Sequence, residues 1–146
     1  MRRLLALCGA IALAACNSVD APQANFTLPT TDANVVGTFV LQSANGSVPP
    51  YVVAANSAGT QILLDDRIVL HDDLTWADTT NYEVDLASGD VTRGATTTSG
   101  SYSIGEGHIN FTMTGGGAAA TFAGAVVGDK LTVVFQNRPF IYSRGS

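Results

Sequence analysis

The stretch SYSIGEGHINFTM, residues 101–113, decides the fold class. Apolar side chains occupy alternate positions on both sides of the glycine-rich turn GEG. They are Tyr102 and Ile104 before the turn and Ile109 and Phe111 after it. A period of two is typical of a β-strand that buries one face. The stretch therefore predicts an antiparallel hairpin with one side in a hydrophobic core.

The same alternation recurs along the rest of residues 34–146. LTWADTTNYEV (74–84) and KLTVVFQ (130–136) are strand-like, and turn signals such as Asn45-Gly46 separate the segments. QILLDDRIVL is predicted as one long strand interrupted near Asp65-Asp66, or as two short strands. We expect eight or nine strands joined by short connections, and no segment carries a helical stripe.

Consecutive hairpins with one apolar face predict a closed sheet. Closure removes unpaired strand edges, and eight strands enclose an interior that side chains fill or that holds one small ligand. We therefore predict an all-β domain, a single antiparallel up-and-down β-barrel of about eight strands. A two-sheet sandwich is the main alternative. The barrel is favoured because no connection is long enough for a Greek-key crossover.

Several segments, taken in order, resemble bacterial lipocalin-like domains over nearly the whole region from Val35 to Arg144. The segments are VVGTFVLQSANGSVPPYVV, RIVLHDDLTWADTTNYEV, SGSYSIGEGHINFT, AGAVVGDKLTVVF and IYSR. In lipocalins a Gly-x-Trp on the first strand packs against an Arg on the last strand and closes one end of the barrel. The matching positions here are Gly37, Phe39 and Arg144, with Phe in place of Trp. The resemblance implies a cation–π contact between Arg144 and Phe39.

Six aromatic side chains are expected to point into the barrel by the alternation argument. They are Trp76, Tyr82, Tyr102, Phe111, Phe122 and Phe135. They would line a pocket for an apolar ligand or form the core of a small β-protein, and the core is favoured because a domain of this size needs its aromatics for stability. The small residues Ala118, Ala120 and Gly124 are in phase with Phe122, so the interior beside that strand is expected to hold space.

The start of the chain predicts export. Residues 1–15 combine Arg2 and Arg3 with an uncharged apolar run, which at about a dozen residues is shorter than the roughly 20 that cross a bilayer. This pattern is typical of a secretory signal peptide, which is cleaved. LAAC, residues 13–16, resembles the bacterial lipobox, and the resemblance implies that Cys16 is lipidated and becomes the first residue.

The segment after the cysteine indicates where the domain lies. Residues 16–33 are rich in Pro, Asn, Thr and Asp and are interpreted as the lipidated Cys16 and a flexible tether, followed by the barrel domain at 34–146. Asn17 favours the outer membrane in a host with two membranes. The expected location is the cell envelope, with the domain in the periplasm or at the surface.

Charge and cysteine content exclude several classes of function. The whole chain carries a formal net charge of −5, and without residues 1–15 five basic residues face 12 acidic ones. Such a surface argues against a nucleic-acid partner, which requires Lys and Arg clusters. Cys8 leaves with the signal peptide and Cys16 is consumed by the lipid, so no disulfide, Cys metal site or Cys nucleophile is predicted.

The polar clusters do not form a recognisable catalytic motif. His71-Asp72-Asp73, with Asp65-Asp66 nearby, could bind Ca²⁺, but turn chemistry is favoured because Asp caps turns and the dedicated calcium loop is missing. His71 and His108 lack zinc-site spacing, and His108 is expected on the outer face of its strand. There is no G-x-S-x-G nucleophile elbow. No catalytic residue, metal site or cofactor is predicted.

These observations together predict a membrane-anchored protein that is not an enzyme. It would bind a small apolar ligand in the barrel or at its mouth. The alternative is a structural or protein-interaction module of the envelope with a filled barrel. The expected partners are the membrane through Cys16, a small apolar ligand and an envelope protein.

Overall fold

Nine strands account for most of the residues that the computed structural model describes, which are 35–114 and 120–145. No helix occurs among them. The strands are β1 (Gly37–Ala44), β2 (Tyr51–Asn56), β3 (Gly59–Leu70), β4 (Thr75–Leu86), β5 (Val91–Gly105), β6 (His108–Thr114), β7 (Thr121–Val127), β8 (Lys130–Phe135) and β9 (Arg138–Arg144).

The predicted hairpin is formed by β5 and β6. Tyr102 lies opposite Phe111, and Ile104 lies opposite Ile109, so the alternating apolar residues of both strands share one face. The turn between the strands places Glu106 in the left-handed region, with a φ of 52°.

Eight of the strands close into one antiparallel barrel. The sheet runs β1-β9-β8-β7-β6-β5-β4-β3, and β1 pairs back with β3 to complete the ring. From β3 to β9 each strand pairs with its successor in the chain. The prediction of an up-and-down barrel of about eight strands is confirmed, and the sandwich alternative is wrong because the sheet has no two separate layers.

The remaining strand, β2, extends the sheet by pairing with β3 and is not needed to close the ring. β1 pairs with the second half of β3, from Arg67 to Leu70, whereas β2 pairs with the first half, where Tyr51 lies opposite Leu63. Beyond the pair of Val40 and Arg67, β1 and β3 therefore separate. The barrel wall opens at this point, and β2 pairs with the start of β3, from Gly59 to Leu63.

The third strand is continuous, and its irregularity changes which residues face inward. Its register shifts between Leu63 and Asp65. Such a bulge adds one residue and reverses the alternation on either side of it. As a result Leu63 and Asp66 are both buried, and Asp66 shares its face with Ile68.

One end of the barrel is filled by tightly packed side chains. Val35, Phe39, Leu70, Ile109 and Leu131 are all almost completely buried there. Full burial of each large apolar side chain contributes about 1.5–3 kcal/mol. This end, which we call the packed end, is the hydrophobic core of the domain.

Two positions differ from what the alternating pattern and the small residues of β7 indicate. Leu74 does not face the interior with Trp76, because it lies in the β3–β4 turn with a φ of 64° and is 49% exposed. Gly124 itself leaves no space, because the ring of Phe111 lies against it, whereas the interior beside Phe122 on the same strand is open. A Cβ there would lie 2.9 Å from the Phe111 ring and 2.9 Å from the carbonyl oxygen of Thr132. Ala118 lies outside the described residues.

Candidate functional site: the barrel cavity

The end opposite the packed end holds a cavity of about 520 Å³. Its rim comes from the end of β1, the start of β2 and the start of β9. Its walls come from the inward faces of the other barrel strands. A volume of this size lies within the range of roughly 300–1,000 Å³ that is typical of small-molecule sites. The cavity lies at the end of the barrel where β1 and β3 separate.

One wall of the cavity is aromatic. The rings of Trp76 and Phe122 meet edge to face with centroids 5.5 Å apart, and Phe122 meets Phe135 in the same way at 5.6 Å. Behind them Phe111 stacks on Phe122 at 4.7 Å. The indole Nε1 of Trp76 donates to the carbonyl oxygen of Ser101 at 3.0 Å. The indole ring is thereby held in place and its polar atom is already satisfied.

Facing this apolar wall are two carboxyl groups, those of Asp66 and Asp78. They lie on neighbouring strands, β3 and β4, where Asp66 is opposite Thr80 and Asp78 is opposite Ile68. This diagonal arrangement puts both side chains on the inward face. Asp66 is 5% exposed and Asp78 is half-buried, and both line the cavity.

The two carboxyl groups form a coupled acidic pair. The Oδ1 atoms of Asp66 and Asp78 are buried and have no protein hydrogen-bond donor. Burial raises the pKa of Asp78 far above its ordinary value, and the hydrogen bond and the negative charge of Asp66 raise it further. Burial also raises the pKa of Asp66. The raised pKa, about 9, keeps the Asp78 carboxyl protonated near neutral pH, so that it can donate a hydrogen bond to Asp66.

Two tyrosines and one arginine complete the polar side of the cavity. The hydroxyl of Tyr142, from β9, donates a long hydrogen bond of 3.5 Å to Oδ2 of Asp66. Burial and the nearby carboxylate raise the pKa of Tyr142, so its hydroxyl stays protonated and remains a donor. Burial likewise raises the pKa of Tyr51, which the charge of Arg138 at the rim partly offsets.

The six aromatic residues predicted from the sequence divide into three groups. Trp76, Phe122 and Phe135 line the cavity. Phe111 is fully buried behind them, and Tyr102 is buried toward the packed end, where its hydroxyl donates to the carbonyl oxygen of His71 at 2.5 Å. The sixth, Tyr82, is half-buried and covers Gly94 on β5, away from the cavity. Whether the group binds a ligand stays a prediction.

The acidic pair is the part of the site that the sequence analysis missed. Asp66 was assigned to an interruption of its strand, because the bulge reverses the alternation just before it. Asp78 could have been found, since it lies two residues after Trp76 on the same face of β4. A charged residue in phase with inward aromatics is the signal that was available.

The three residues expected to close the barrel meet at the packed end. The guanidinium carbon of Arg144 lies 4.6 Å from the centre of the Phe39 ring, and the two residues are paired across β1 and β9. The Arg144 Nη1 atom also donates to the carbonyl oxygen of Val36 at 2.7 Å. Gly37 leaves the space that the guanidinium occupies, because a Cβ there would collide with Nη1.

The acidic turn near His71 has a local structural explanation. One carboxylate oxygen of Asp73 accepts the backbone N–H of Thr75 at 3.0 Å and its hydroxyl at 2.6 Å. These bonds lower the pKa of Asp73. On β3, Asp65 accepts the side-chain amide of Asn81 at 2.7 Å. Within residues 35–114 and 120–145 no three His, Cys, Asp or Glu residues come close enough to hold a metal ion.

The segments predicted to target and tether the protein, residues 1–15 and 16–33 with Cys16, lie outside the described residues. In the part of the chain that is described, no helix has the length and apolar character needed to span a bilayer.

Comparisons with known proteins do not add to this description. No protein-family model matches the chain, and a search of curated proteins found no significant match.

Proposed function

We propose that the protein is a non-enzymatic binding protein whose barrel cavity receives a small, mainly apolar molecule. The observation that carries this proposal is the contrast within one barrel between a packed end and a cavity of about 520 Å³. A small domain gains stability by filling its interior. Space that is kept open and lined by aromatic rings therefore supports a binding role.

The eight-stranded closed barrel and the contact of Arg144 with Phe39 also support our proposal that the domain is lipocalin-like. Binding is favoured over catalysis because the described cavity lining is mainly aromatic and aliphatic and includes no histidine or cysteine. A cofactor is not part of the proposal.

Native mass spectrometry of the gently purified protein tests the binding role. Thr98 lines the cavity opposite Asp78, whereas its neighbour Thr97 is exposed on the outside of the barrel. We expect a reproducible co-purifying adduct that Thr98→Trp abolishes, because the indole fills the cavity, and that Thr97→Trp retains. A bare mass for the unaltered protein, even after exposure to a total lipid extract, would contradict the binding role.

We further propose that Cys16 is lipidated and holds the domain at a membrane of the cell envelope, with the outer membrane favoured by Asn17. The lipobox-like LAAC supports this. Several acyl chains are needed for stable anchoring, since one chain binds a membrane only marginally. Cys16→Ser should release the protein into the soluble fraction and remove the lipid from its intact mass. An unchanged membrane fraction for this variant would contradict the anchor.

A second candidate is a protein-interaction module, because β2 exposes apolar side chains. Val48, Val52 and Val53 are 67%, 56% and 45% exposed at the rim and along this strand. Exposed apolar clusters often mark interaction sites. In-cell cross-linking from position 48 tests this role. A discrete cross-linked envelope protein, lost in Val52→Lys, would favour it, and no specific product would count against it.

A further inference from the structure

We propose that the cavity selects ligands that carry a protonated amine on an apolar body, and that the Asp66–Asp78 pair binds the ammonium group. The inference rests on the binding role proposed above and narrows its ligand class. It stands on the position of two carboxyl groups inside a cavity whose lining is otherwise mainly aromatic and aliphatic.

An acidic group is buried in the cavity without full compensation. Asp66 is 5% exposed, and its Oδ1 atom lacks a protein donor. Burying a carboxylate is unfavourable unless a cation or several hydrogen bonds offset the loss of water. Around Asp66, Tyr142 supplies a long hydrogen bond of 3.5 Å, and the other partners are the Asp78 carboxyl and the backbone of Arg67. The described cavity lining contains one cationic side chain, Arg138, at the exposed rim.

The hydrogen-bond acceptors of the cavity match the donors of an ammonium group. An ammonium group has three N–H donors, and the inner cavity offers two carboxyl groups with the hydroxyls of Thr80 and Thr98 beside them. Hydrogen bonds between ammonium and carboxylate are about twice as strong as neutral ones. A calcium ion takes six to eight oxygens, which makes it a poorer fit to two carboxyl groups.

The aromatic wall of the cavity suits an apolar body attached to the amine. The indole of Trp76 precedes Asp78 by two residues on the same face of β4, and Phe122 and Phe135 continue the wall. Aromatic faces attract a nearby cation and also bury an apolar body. A ligand that matches both the carboxyl pair and the apolar wall is an alkyl or aryl amine.

Binding has a defined proton balance. Near neutral pH the Asp78 carboxyl is protonated, and an entering ammonium takes the place of this proton between the two carboxyl groups. The displaced proton goes to solvent, and no covalent bond changes. Two other titratable groups face the pair, Tyr142 from β9 and Tyr51 from β2, with Arg138 beside Tyr51, while Asp65 lies next to Asp66 in the chain but faces outward. The tyrosines stay protonated throughout the range from pH 6 to 8, so the released proton comes from the pair.

The test compares amines with alcohols of the same shape. Isothermal titration of the purified full chain at pH 8 would use tryptamine against tryptophol and octylamine against 1-octanol. We expect each amine to bind at least about tenfold more tightly than its alcohol. Titration in two buffers of different ionisation enthalpy should show about one proton released per amine and none per alcohol.

Three variants locate the effect. Asp78→Asn and Asp66→Asn should abolish the preference for the amine and the proton release, while the affinity for the alcohols changes little. Asp65→Asn, which removes the same charge from the outward neighbour on β3, should keep both the preference and the proton release.

The outcomes separate the two proposals. If each alcohol binds as tightly as its amine in the unaltered protein, the amine proposal is wrong and the binding role stands. If the preference persists in both pair variants, the assignment to Asp66 and Asp78 is overturned. If neither the amines nor the alcohols bind, the cavity is not a binding site for small apolar molecules, and both proposals fall.

Discussion

The two ends of the barrel are built from the same alternating strands but use their interior differently. At the packed end Phe39, Ile109 and Leu131 are completely buried. At the cavity end the same strands enclose empty space and two acidic side chains. A fold of this kind needs one well-filled layer for its stability, and the other layer then tolerates groups that lower stability. The contrast separates residues that hold the fold together from residues that are available for recognition.

The largest expected effect comes from truncating the packed end. Phe39→Ala should lower the free energy of unfolding by about 3–5 kcal/mol, because it leaves a void among buried side chains and removes the ring under Arg144. Urea unfolding measures this. The matched variant is Phe140→Ala, on the partner strand but lining the cavity, which should cost about 1–2 kcal/mol. Equal losses at the two positions would contradict the contrast between the ends.

A second test adds volume instead of removing it. Gly124→Ala should destabilise the protein by about 1–3 kcal/mol, because the new methyl group presses on Phe111 and on the carbonyl oxygen of Thr132. Gly105→Ala is the control, since a Cβ there meets no atom within 4 Å. Thermal unfolding of both variants separates a packing effect from the general effect of replacing glycine. A neutral Gly124→Ala would mean that Phe111 leaves space at this position.

The acidic pair predicts how stability depends on pH. Asp66 and Asp78 have raised pKa values in the folded state, so the folded protein binds more protons than the unfolded chain above the ordinary carboxyl pKa of about 3.9. The contribution of the pair to stability is therefore greatest at acidic pH, and we expect stability to fall as pH rises from 5 to 8, with a maximal slope of about 1.4 kcal/mol per pH unit for each proton. Asp73 acts in the opposite direction, but only below its ordinary pKa. Urea unfolding at pH 5, 6, 7 and 8 that shows rising stability would contradict the burial of the pair.

The smallest effect is expected on the outer surface. Arg93 Nε and Glu83 Oε2 form an ion pair of 2.6 Å across β4 and β5, with the arginine side chain 75% exposed. Such pairs contribute little, because water and salt screen them. Glu83→Gln should change the free energy of unfolding by less than about 0.5 kcal/mol. A decrease in the free energy of unfolding of several times that amount would show that outer-surface ion pairs contribute to stability as much as the packed end does.

The sequence could predict the barrel because its information is local and repeated. The alternation around the GEG turn, the turn residues between segments and the absence of long connections all point to consecutive hairpins. The aromatic residues at positions 76, 111, 122 and 135 follow that alternation directly. The contact between Arg144 and Phe39 could be expected only from the resemblance to lipocalin-like domains, since the two residues are far apart in the chain.

The cavity and its acidic pair could not be predicted in the same way. Their positions depend on where β1 leaves β3 and on one bulge, which moves Asp66 to the inner face. The bulge between Leu63 and Asp65 shifts the register by one residue. The alternating pattern does not reveal this shift, because Asp65 and Asp66 are both polar and either one could face outward. That Gly124 itself leaves no space could not be predicted for a related reason, since the ring that fills this position, that of Phe111, comes from another strand.

The central claim is that the cavity end sacrifices stability for recognition, and the most direct test is the free energy of unfolding of Asp78→Asn at pH 8. Asn keeps the shape and can donate to Asp66, but it needs no proton to be neutral. The account predicts that this variant is more stable than the unaltered protein by about 1 kcal/mol or more, whereas Asp65→Asn stays within about 0.5 kcal/mol. A variant less stable by 1 kcal/mol would contradict the claim, because it would show that the acidic pair stabilises the fold.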